Sequence, residues 1–286
     1  MKIGIFKIVT FTLIFTRCND NIENKTNVKN KNDADQSPNS KKPTYMNFHV
    51  KARPDSISMD PSGTAVIVVD MQNDFGTRGG MFDRAGIDIS MIQKAINPTA
   101  NVLAAARKSG IQVIYLKMAY KEDLSDLGRE DAPNRLRHLQ NLHVGETITA
   151  PDGRKSRILV RETWNTDIVT ELRPQSDDIV IYKTRFSGFY QTILDSVLKK
   201  LEKKYLVFTG CTTSICVEST VRDAMFRDYL PVVLEDCTAE PIGYGLSRSN
   251  HEASLLNFEL LGWVSNSEEF IKSVNAQSVL DATGVE

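Results

Sequence analysis

The stretch AVIVVD at residues 65–70 decides the fold class, because a run of small and β-branched apolar residues ends in a carboxylate. Such a run predicts a strand buried on both faces, which is typical of a parallel sheet covered by helices. An amphipathic helical pattern follows at residues 89–110, and a second apolar run, IQVIYLK, occupies residues 111–117. Together the three segments predict one β-α-β unit.

The same alternation continues toward the C-terminus and predicts an α/β domain. Further strands are predicted at residues 178–183, 205–210 and 231–236, with a last short apolar stretch at 260–264, an amphipathic segment near 166–172, and helices at 190–200, 216–229 and 246–258. The predicted architecture is a three-layer αβα, doubly wound domain with a mainly parallel sheet. Residues 123–155 interrupt the alternation with prolines and many charges, so we expect an insertion or a lid over the site there.

The first 45 residues differ from the rest of the chain. Two lysines precede an apolar run at residues 8–15, which is shorter than the ~20 residues of a membrane-spanning helix but suits a signal-peptide core. Cys18 and an Asn/Lys/Asp/Ser-rich linker come next, an order typical of an acylated bacterial lipoprotein, although Arg17 departs from that pattern. We expect export to the periplasm or a lipid anchor at Cys18; the alternative is a disordered extension of a cytoplasmic protein. The folded domain is predicted at residues 46–286.

The composition excludes several classes of protein. Of 286 residues, 35 are Lys or Arg and 36 are Asp or Glu, so the net charge is −1 and nucleic-acid binding is not expected. Hydrophobic residues make up 41%, which is enough for a large core. Four cysteines are too few for a disulfide scaffold, and no pair of CxxC motifs indicates structural zinc. Chemistry performed by a cysteine should therefore be that of a thiol.

Polar residues follow three of the predicted strands, where parallel sheets bind their ligands. Asp70 ends the first strand, Lys183 ends another, and the turn GCTTSIC delivers Cys216 to the start of a helix. A helix N-terminus and a nearby ammonium favour a thiolate, so Cys216 is a candidate nucleophile that reacts near neutral pH. Asp70, at the rim of a dry sheet, could take its proton. The alternatives are a buried apolar cysteine, a loop-capping aspartate and a solvated lysine.

Other catalytic patterns are absent from the sequence. His49, His138, His143 and His251 are dispersed, and none ends a predicted core strand. His138 and His143 are five residues apart, a spacing that does not pair metal ligands on a helix. There is no G-x-S-x-G elbow, no P-loop and no dinucleotide-binding glycine pattern after the first strand. We therefore expect no nucleotide cofactor and no metal.

Three motifs in order resemble the isochorismatase-like cysteine hydrolases. They are VIVVDMQNDF at 66–75, YKTRFSGF at 182–189 and TGCTTSICVESTVRDAMFRDY at 209–229, and the likeness covers about residues 53–274. The resemblance implies an amidohydrolase on a parallel αβα fold, with Asp70 as general base and acid, Lys183 as electrostatic partner and Cys216 as nucleophile. It also implies a cis peptide between Cys211 and Thr212, and an oxyanion hole formed by the N–H groups of Thr212 and Cys216.

Within that family, the chain resembles the ureidoacrylate amidohydrolases of pyrimidine breakdown. The stretches that carry the likeness are RPDSISMDPSGTAVIVVDMQN at 53–73, RFSGFYQTILDSVL at 185–198, LVFTGCTTSICVESTVRDAMFRDY at 206–229 and FELLGWVS at 258–265. Nicotinamidases carry an Asp and two His as metal ligands after the second strand, whereas residues 117–131 contain no histidine. True isochorismatases lack the cysteine. Both of those activities are therefore disfavoured.

The sequence departs from that subgroup where the substrate would be recognised. An Asn and a Trp are expected after the second strand, where this chain has Met118 and Tyr120, and tyrosines are expected at Phe75 and Phe186. Losing an amide and two hydroxyls removes hydrogen bonds by which such a site discriminates, so a different substrate is the alternative. Arg185 could bind a substrate carboxylate or lie at a surface or interface. The substrate-binding candidates are Phe75, Met118, Tyr120, Trp164, Arg185 and Phe186; for the aromatic ones, core packing is the alternative.

The sequence therefore predicts hydrolysis of a carbamoyl or ureido C–N bond in a small substrate through a covalent Cys216 intermediate. A first alternative is an amidase for biuret, an N-carbamoyl amino acid or another small amide. A second is an exported, non-catalytic binding protein, and a third is a thiol-redox role for Cys211 and Cys216. We further expect a homo-oligomer, a small-molecule partner only, and a membrane tether if the N-terminus is acylated.

Overall fold

Two short strands precede the central sheet in the computed structural model of the chain, which describes residues 47–243, 245, 247 and 249–283. Strands β1 (Phe48–Val50) and β2 (Ile57–Met59) pair in antiparallel orientation and turn their apolar side chains into the core. The sequence analysis did not predict this hairpin, because three-residue strands are too short to show an alternating pattern. The predicted signal-like segment and linker at residues 1–45, including Cys18, lie outside the described residues.

The central sheet contains six parallel strands. They are β3 (Thr64–Val69), β4 (Gln112–Met118), β7 (Ile179–Lys183), β8 (Tyr205–Cys211), β9 (Leu230–Ala239) and β10 (Trp263–Ser265), in the spatial order β10-β9-β8-β3-β4-β7. Every residue of β3 is buried, as its uninterrupted apolar run predicts for a strand covered on both faces. The predicted α/β class and mainly parallel sheet are confirmed.

Helices cover the sheet in two groups. The eight described α-helices are α1 (Asn73–Gly76), α2 (Met81–Arg84), α3 (Ser90–Lys108), α4 (Pro133–Asn141), α5 (Leu194–Lys200), α6 (Glu218–Met225), α7 (Asn250–Leu261) and α8 (Ser267–Thr283). Helices α3 and α8 contact each other and β9, while α6 and α7 form a second contacting pair against β9 and β10. Helix α8 was not predicted, because its apolar residues are not concentrated on one helical face in the sequence.

The predicted insertion at residues 123–155 forms structure of its own. It contains α4, and its C-terminal end enters a small antiparallel hairpin of β5 (Thr147–Thr149) and β6 (Lys155–Arg157). Arg161 and Asp126 form an ion pair with 2.9 Å between guanidinium and carboxylate, which fastens the segment to the chain that follows it. The insertion is therefore held against the segment that follows β6.

Several element boundaries differ from the predictions. The predicted helix at 216–229 is a π-helical turn, Thr213–Val217, followed by α6, so Cys216 lies inside the turn. Residues near 166–172 form two short 3₁₀ turns, Trp164–Thr166 and Thr170–Leu172, because the segment follows the sheet edge as a connection. Helices α5 and α7 each begin four residues later than predicted, after polar connections. No described helix has the length and apolar character needed to cross a membrane.

Candidate active site

Three strands of the sheet bring Asp70, Lys183 and Cys216 together. Asp70 directly follows β3, Lys183 is the last residue of β7, and Cys216 lies in the turn after β8. Because parallel strands end at the same edge, their polar terminal residues meet there. Lys183 Nζ lies 2.6 Å from Asp70 Oδ2, and the Cys216 thiol is within hydrogen-bonding reach of both side chains. All three side chains are buried.

The backbone of Asp70 adopts the left-handed conformation, with φ = 52°, which is uncommon for a residue other than glycine. Two hydrogen bonds to β4 hold it there. The Asp70 N–H donates to the Leu116 carbonyl at 2.9 Å, and Oδ1 accepts the N–H of Met118 at 2.9 Å. These bonds fix one carboxylate oxygen on the backbone and leave Oδ2 to face Lys183 and Cys216.

Burial and the mutual charges of the three groups shift their pKa values. Burial raises the pKa of Asp70, although the ammonium of Lys183 opposes the shift. Burial alone would lower the pKa of Lys183, but the neighbouring Asp70 and Cys216 outweigh that effect and raise it, so the ammonium stays charged. Burial also raises the pKa of the Cys216 thiol; Lys183 opposes this and Asp70 adds to it. The helix N-terminus and the ammonium, which favour a thiolate, are therefore opposed at Cys216 by burial and by the facing carboxylate.

The turn that carries Cys216 begins with a cis peptide between Cys211 and Thr212, at the position that the family resemblance implies. The N–H groups of Ile215 and Val217 both donate to the Thr212 carbonyl, at 3.2 and 3.1 Å. This pattern gathers the turn around Thr212 and directs Cys216 toward the edge of the sheet.

A buried carboxylate missed by the sequence analysis supports the same turn. Glu240 is fully buried, and its Oε2 accepts the N–H of Ser214 at 2.8 Å while Oε1 accepts the N–H of Ile242 at 2.9 Å. The strand prediction ended at residue 236, whereas β9 continues to Ala239 and delivers Glu240 to the turn. Glu240 thus links the turn that carries Cys216 to the loop after β9.

A small cavity of about 190 Å³ lies in front of Cys216. Apolar side chains make up most of its lining, and they include Phe75, Phe82, Met118, Leu159, Phe186 and Ile242. Phe75 and Phe82 meet edge to face with 5.0 Å between ring centroids, whereas Phe186 is 41% exposed and stands at the mouth. Three of the predicted substrate-binding residues, Phe75, Met118 and Phe186, therefore line the cavity.

Tyr120 and Arg185 do not line this cavity. The hydroxyl of Tyr120 donates to the Thr184 carbonyl at 3.3 Å, and its ring contacts His138, which does line the cavity. The guanidinium of Arg185 donates to the carbonyls of Thr184, at 2.6 Å, and Asp126, at 3.2 Å. Arg185 therefore fastens the insertion and does not line this cavity, and its binding of a substrate carboxylate stays a prediction.

Trp164 also lies away from Cys216. It lines a separate surface cleft of about 800 Å³, together with Lys117 and Asp167. Its carbonyl accepts the side-chain amide of Asn73 at 2.8 Å, which holds the 3₁₀ turn against α1. Trp164 is therefore not part of the wall of the cavity in front of Cys216, where the sequence placed it. The segment after β6 that carries it lines the surface cleft instead.

Helix α4 contributes two residues that the sequence analysis did not assign to the site. Arg137 and His138 both line the cavity, and His138 is only 4% exposed. The sequence assigns no histidine to the site, because none ends a predicted core strand. His138 reaches the site through the insertion instead, which only the tertiary fold determines. The expectation that residues 123–155 cover the site agrees with this placement.

Asp74 is a second buried carboxylate that the sequence did not reveal. It accepts the N–H groups of Met81, at 3.0 Å, and Leu159, at 2.7 Å, and the side-chain amide of Asn165. Burial raises its pKa to about 7, even though these three donors act in the opposite direction. Asp74 thereby ties α1 to α2 and to the segment that closes the cavity at Leu159.

Within the described part of the chain, no group of three His, Cys, Asp or Glu side chains is arranged to hold a metal ion. The Cys216 thiol faces an ammonium, a carboxylate and the backbone of its own turn, while Arg137 and His138 add polar side chains to the cavity lining. Such a set can move a proton, offer a sulfur nucleophile and donate hydrogen bonds to an oxygen.

Known proteins are similar to this chain in sequence and in fold. Residues 64–269 match the isochorismatase domain. Over 220 residues the chain is 40% identical to the ureidoacrylate amidohydrolase RutB of Caulobacter segnis, covering 77% of this chain and 89% of the relative. The chain therefore belongs to the isochorismatase family of hydrolases, and the family resemblance stated above is confirmed.

Two solved structures are similar as well. A cysteine hydrolase from Pseudomonas syringae pv. phaseolicola superimposes with a TM-score of 0.62 at 28% identity, covering 77% of this chain and 95% of that chain. N-carbamoylsarcosine amidase from Thermoplasma acidophilum does so with a TM-score of 0.51 at 25% identity, covering 72% of this chain and 96% of that chain.

Proposed function

We propose that this hydrolase cleaves a carbamoyl or ureido C–N bond of a small, ureidoacrylate-like substrate through a covalent intermediate on Cys216, without a metal ion. The observation that carries the proposal is the buried contact of Cys216 with the Asp70–Lys183 ion pair in front of a small cavity. The ureidoacrylate amidohydrolase named among the relatives supports the substrate class.

In the first step, Asp70 takes the proton of the Cys216 thiol while the sulfur attacks the substrate carbonyl carbon. A C–S bond forms, and one electron pair of the C=O bond moves to the oxygen. The N–H groups of Thr212 and Cys216 would donate to that oxyanion. Because burial raises the pKa of the Cys216 thiol, removal of its proton by Asp70 accompanies the attack.

In the second step, the tetrahedral intermediate collapses and the C–N bond breaks. Asp70 returns its proton to the departing nitrogen, which leaves as ammonia or an amine. Water then gives a proton to Asp70 and attacks the thioester or thiocarbamate, after which the Cys216 sulfur leaves and is reprotonated. For a ureido substrate the products are ammonia and a carbamate that decomposes to an amine and CO₂, or the amine and carbamic acid.

Lys183 keeps Asp70 useful as a base. A buried carboxylate without a positive partner would bind a proton of its own and could not accept one from sulfur. The ammonium at 2.6 Å compensates the carboxylate charge and also faces the sulfur, so it stabilises the negative charge that develops there. The ion pair thus serves the chemistry rather than only the fold.

The test is ammonia release from a panel containing ureidoacrylate, biuret and N-carbamoyl amino acids. We expect ureidoacrylate or a close ureido compound to be the preferred substrate, and intact-mass spectrometry of quenched reactions to detect an adduct on Cys216. Release of no ammonia from any member would overturn the proposal. Turnover without an adduct, combined with full activity of Cys216→Ala, would overturn the covalent route.

A second candidate is an amidase for N-carbamoyl amino acids. The similarity to N-carbamoylsarcosine amidase favours it, and so do Phe75 and Phe186, where the ureidoacrylate subgroup is expected to carry tyrosines. Loss of two hydroxyls from a cavity wall weakens selection for a substrate that needs them. A higher kcat/KM for N-carbamoylsarcosine than for ureidoacrylate in the same panel would establish this alternative.

We also propose, from the sequence alone, that the N-terminal segment directs export with a lipid anchor at Cys18 and that the enzyme is a homo-oligomer. Mass spectrometry of the mature N-terminus tests the first point, and analytical ultracentrifugation tests the second. An unprocessed, unacylated N-terminus would leave the cytoplasmic alternative, and a monomer at micromolar concentration would reject oligomerisation.

A further inference from the structure

His138 occupies a fixed position at the cavity in front of Cys216. It lies on α4 and contacts two aromatic rings: Tyr120 meets it edge to face at 5.7 Å, and Phe186 stacks on it at 6.1 Å with an interplanar angle of 30°. Contacts on two sides restrict rotation of the imidazole. The orientation of its nitrogen atoms is therefore set by packing.

The hydrogen bonding of His138 determines which nitrogen carries the proton. Nδ1 lies 2.6 Å from the carbonyl oxygen of Asn134, one turn earlier in α4. Because a carbonyl only accepts, Nδ1 is the donor and carries the proton. Burial lowers the pKa of His138; the bond to Asn134 opposes this, and the charges of Arg185 and Lys183 add to it. The ring is neutral, so Nε2 holds a lone pair.

No described residue bonds to Nε2, although the side chain is nearly buried and lines the cavity. Among the described lining residues, the polar side chains are Arg137, His138, Thr212 and Cys216. The guanidinium of Arg137 can only donate. Nε2 is thus the hydrogen-bond acceptor that α4 contributes to the cavity lining. This acceptor comes from the insertion and not from a strand of the sheet.

We propose that His138 is a specificity-determining residue whose Nε2 accepts a hydrogen bond from an N–H of the bound amide or ureido group. The inference rests on the proposed function and adds to it the group that recognises the substrate nitrogen. An ester oxygen in the place of that N–H would face Nε2 with a lone pair, so neither atom could donate a hydrogen bond to the other. In an apolar cavity, leaving these polar atoms unpaired costs binding free energy. The site therefore selects ureido and amide substrates over their oxygen counterparts.

The test measures binding by calorimetry in the Cys216→Ala background, so that no covalent step contributes. Three ligands are compared: β-ureidopropionate, β-carbamoyloxypropionate, in which oxygen replaces the inner N–H, and N-methoxycarbonyl-β-alanine, in which a methoxy group replaces the terminal NH₂. Each is titrated into the background protein and into variants carrying His138→Phe or His138→Gln. His143→Asn is the matched control, because His143 is exposed in the same insertion and does not line the cavity.

We expect His138→Phe, which keeps an aromatic ring but removes the acceptor, to raise the Kd of β-ureidopropionate about ten- to a hundredfold. The same change should alter the Kd of at least one oxygen counterpart by less than about threefold, because that ligand lacks the N–H in question. His138→Gln, whose side-chain oxygen accepts, should recover part of the loss, and His143→Asn should change none of the three values.

Equal weakening of all three ligands by His138→Phe would overturn the proposal and leave His138 a shape-determining residue. No weakening of any ligand would overturn it as well. If none of the ligands binds, although the wild-type enzyme releases ammonia from ureidoacrylate, the role of His138 is rejected and the proposed function stands. If binding and ammonia release are both absent, the proposed function fails with it.

Discussion

Lys183 Nζ and Asp70 Oδ2 are 2.6 Å apart, and both side chains are excluded from solvent. Charges in such a place are costly to desolvate and remain only when each compensates the other. The pair therefore couples the stability of the protein to the base that the proposed mechanism requires.

Replacing Lys183 with Met should damage both properties. The buried Asp70 carboxylate would lose its compensating charge, so we expect a loss of about 3–5 kcal/mol in the free energy of unfolding. A protonated Asp70 could not act as a base, and kcat/KM should fall by about 10³-fold or more. Urea unfolding and ammonia-release kinetics measure the two effects.

Lys199→Met is the matched control, because Lys199 pairs with Asp195 at 2.7 Å on the protein surface. Its loss should cost at most about 1 kcal/mol and leave turnover intact. Near-normal activity of Lys183→Met would contradict the role assigned to the buried pair.

Cys216→Ser should abolish turnover while the protein stays folded. A serine hydroxyl ionises less readily than a thiol, and the dry site already raises the pKa of the thiol that it replaces. We expect kcat to fall by about 10³-fold or more and the adduct to disappear from mass spectra. Cys237→Ala is the control, since Cys237 is buried in β9 away from the cavity lining and its loss should spare activity. Substantial turnover by Cys216→Ser would reject the nucleophile assignment.

The buried Asp74 should make stability fall as the pH rises from about 4 to 7. Its pKa is about 7 in the folded protein and near 3.8 in the unfolded chain, so the folded state holds a proton that unfolding releases in this window. The protonated Asp74 contributes fully to the free energy of unfolding at pH values below the pKa of the unfolded chain. This contribution is lost as the pH rises through the pKa of the folded protein, and the total loss is up to about 4 kcal/mol. Urea unfolding at pH 5 and pH 8 measures the difference.

Asp74→Asn removes this titrating group but keeps its shape. The drop in unfolding free energy between pH 5 and pH 8 should then be smaller in the variant than in the wild type, since the contributions of other groups cancel in the comparison. An equal drop in both proteins would show that Asp74 does not titrate in this range.

Dialysis against EDTA should leave kcat/KM unchanged. In the proposed mechanism Asp70 moves the proton and backbone N–H groups hold the oxyanion, so no step uses a metal. Activity before and after dialysis, with metal content checked by mass spectrometry, provides the measurement. A loss that added Zn²⁺ or Mn²⁺ restores would place a metal in the reaction and reject this route.

The sequence by itself determined the sheet and the meeting of Asp70, Lys183 and Cys216. Runs such as residues 65–69 can be satisfied only by strands buried on both faces, and parallel strands present their final residues at one edge. The linear pattern thus already places Asp70 and Lys183 at one edge, and Cys216 reaches the same edge through the turn that follows β8.

Only the tertiary structure decided the burial of Cys216 and the composition of the cavity. Burial raises the pKa of the Cys216 thiol against the effect of the nearby ammonium, and burial is a property of the whole packing. His138 lines the cavity and Trp164 does not, because the path of a long connection depends on contacts between residues far apart in sequence. Local patterns determine strands and their ends, whereas the position of an insertion over them follows from three-dimensional packing alone.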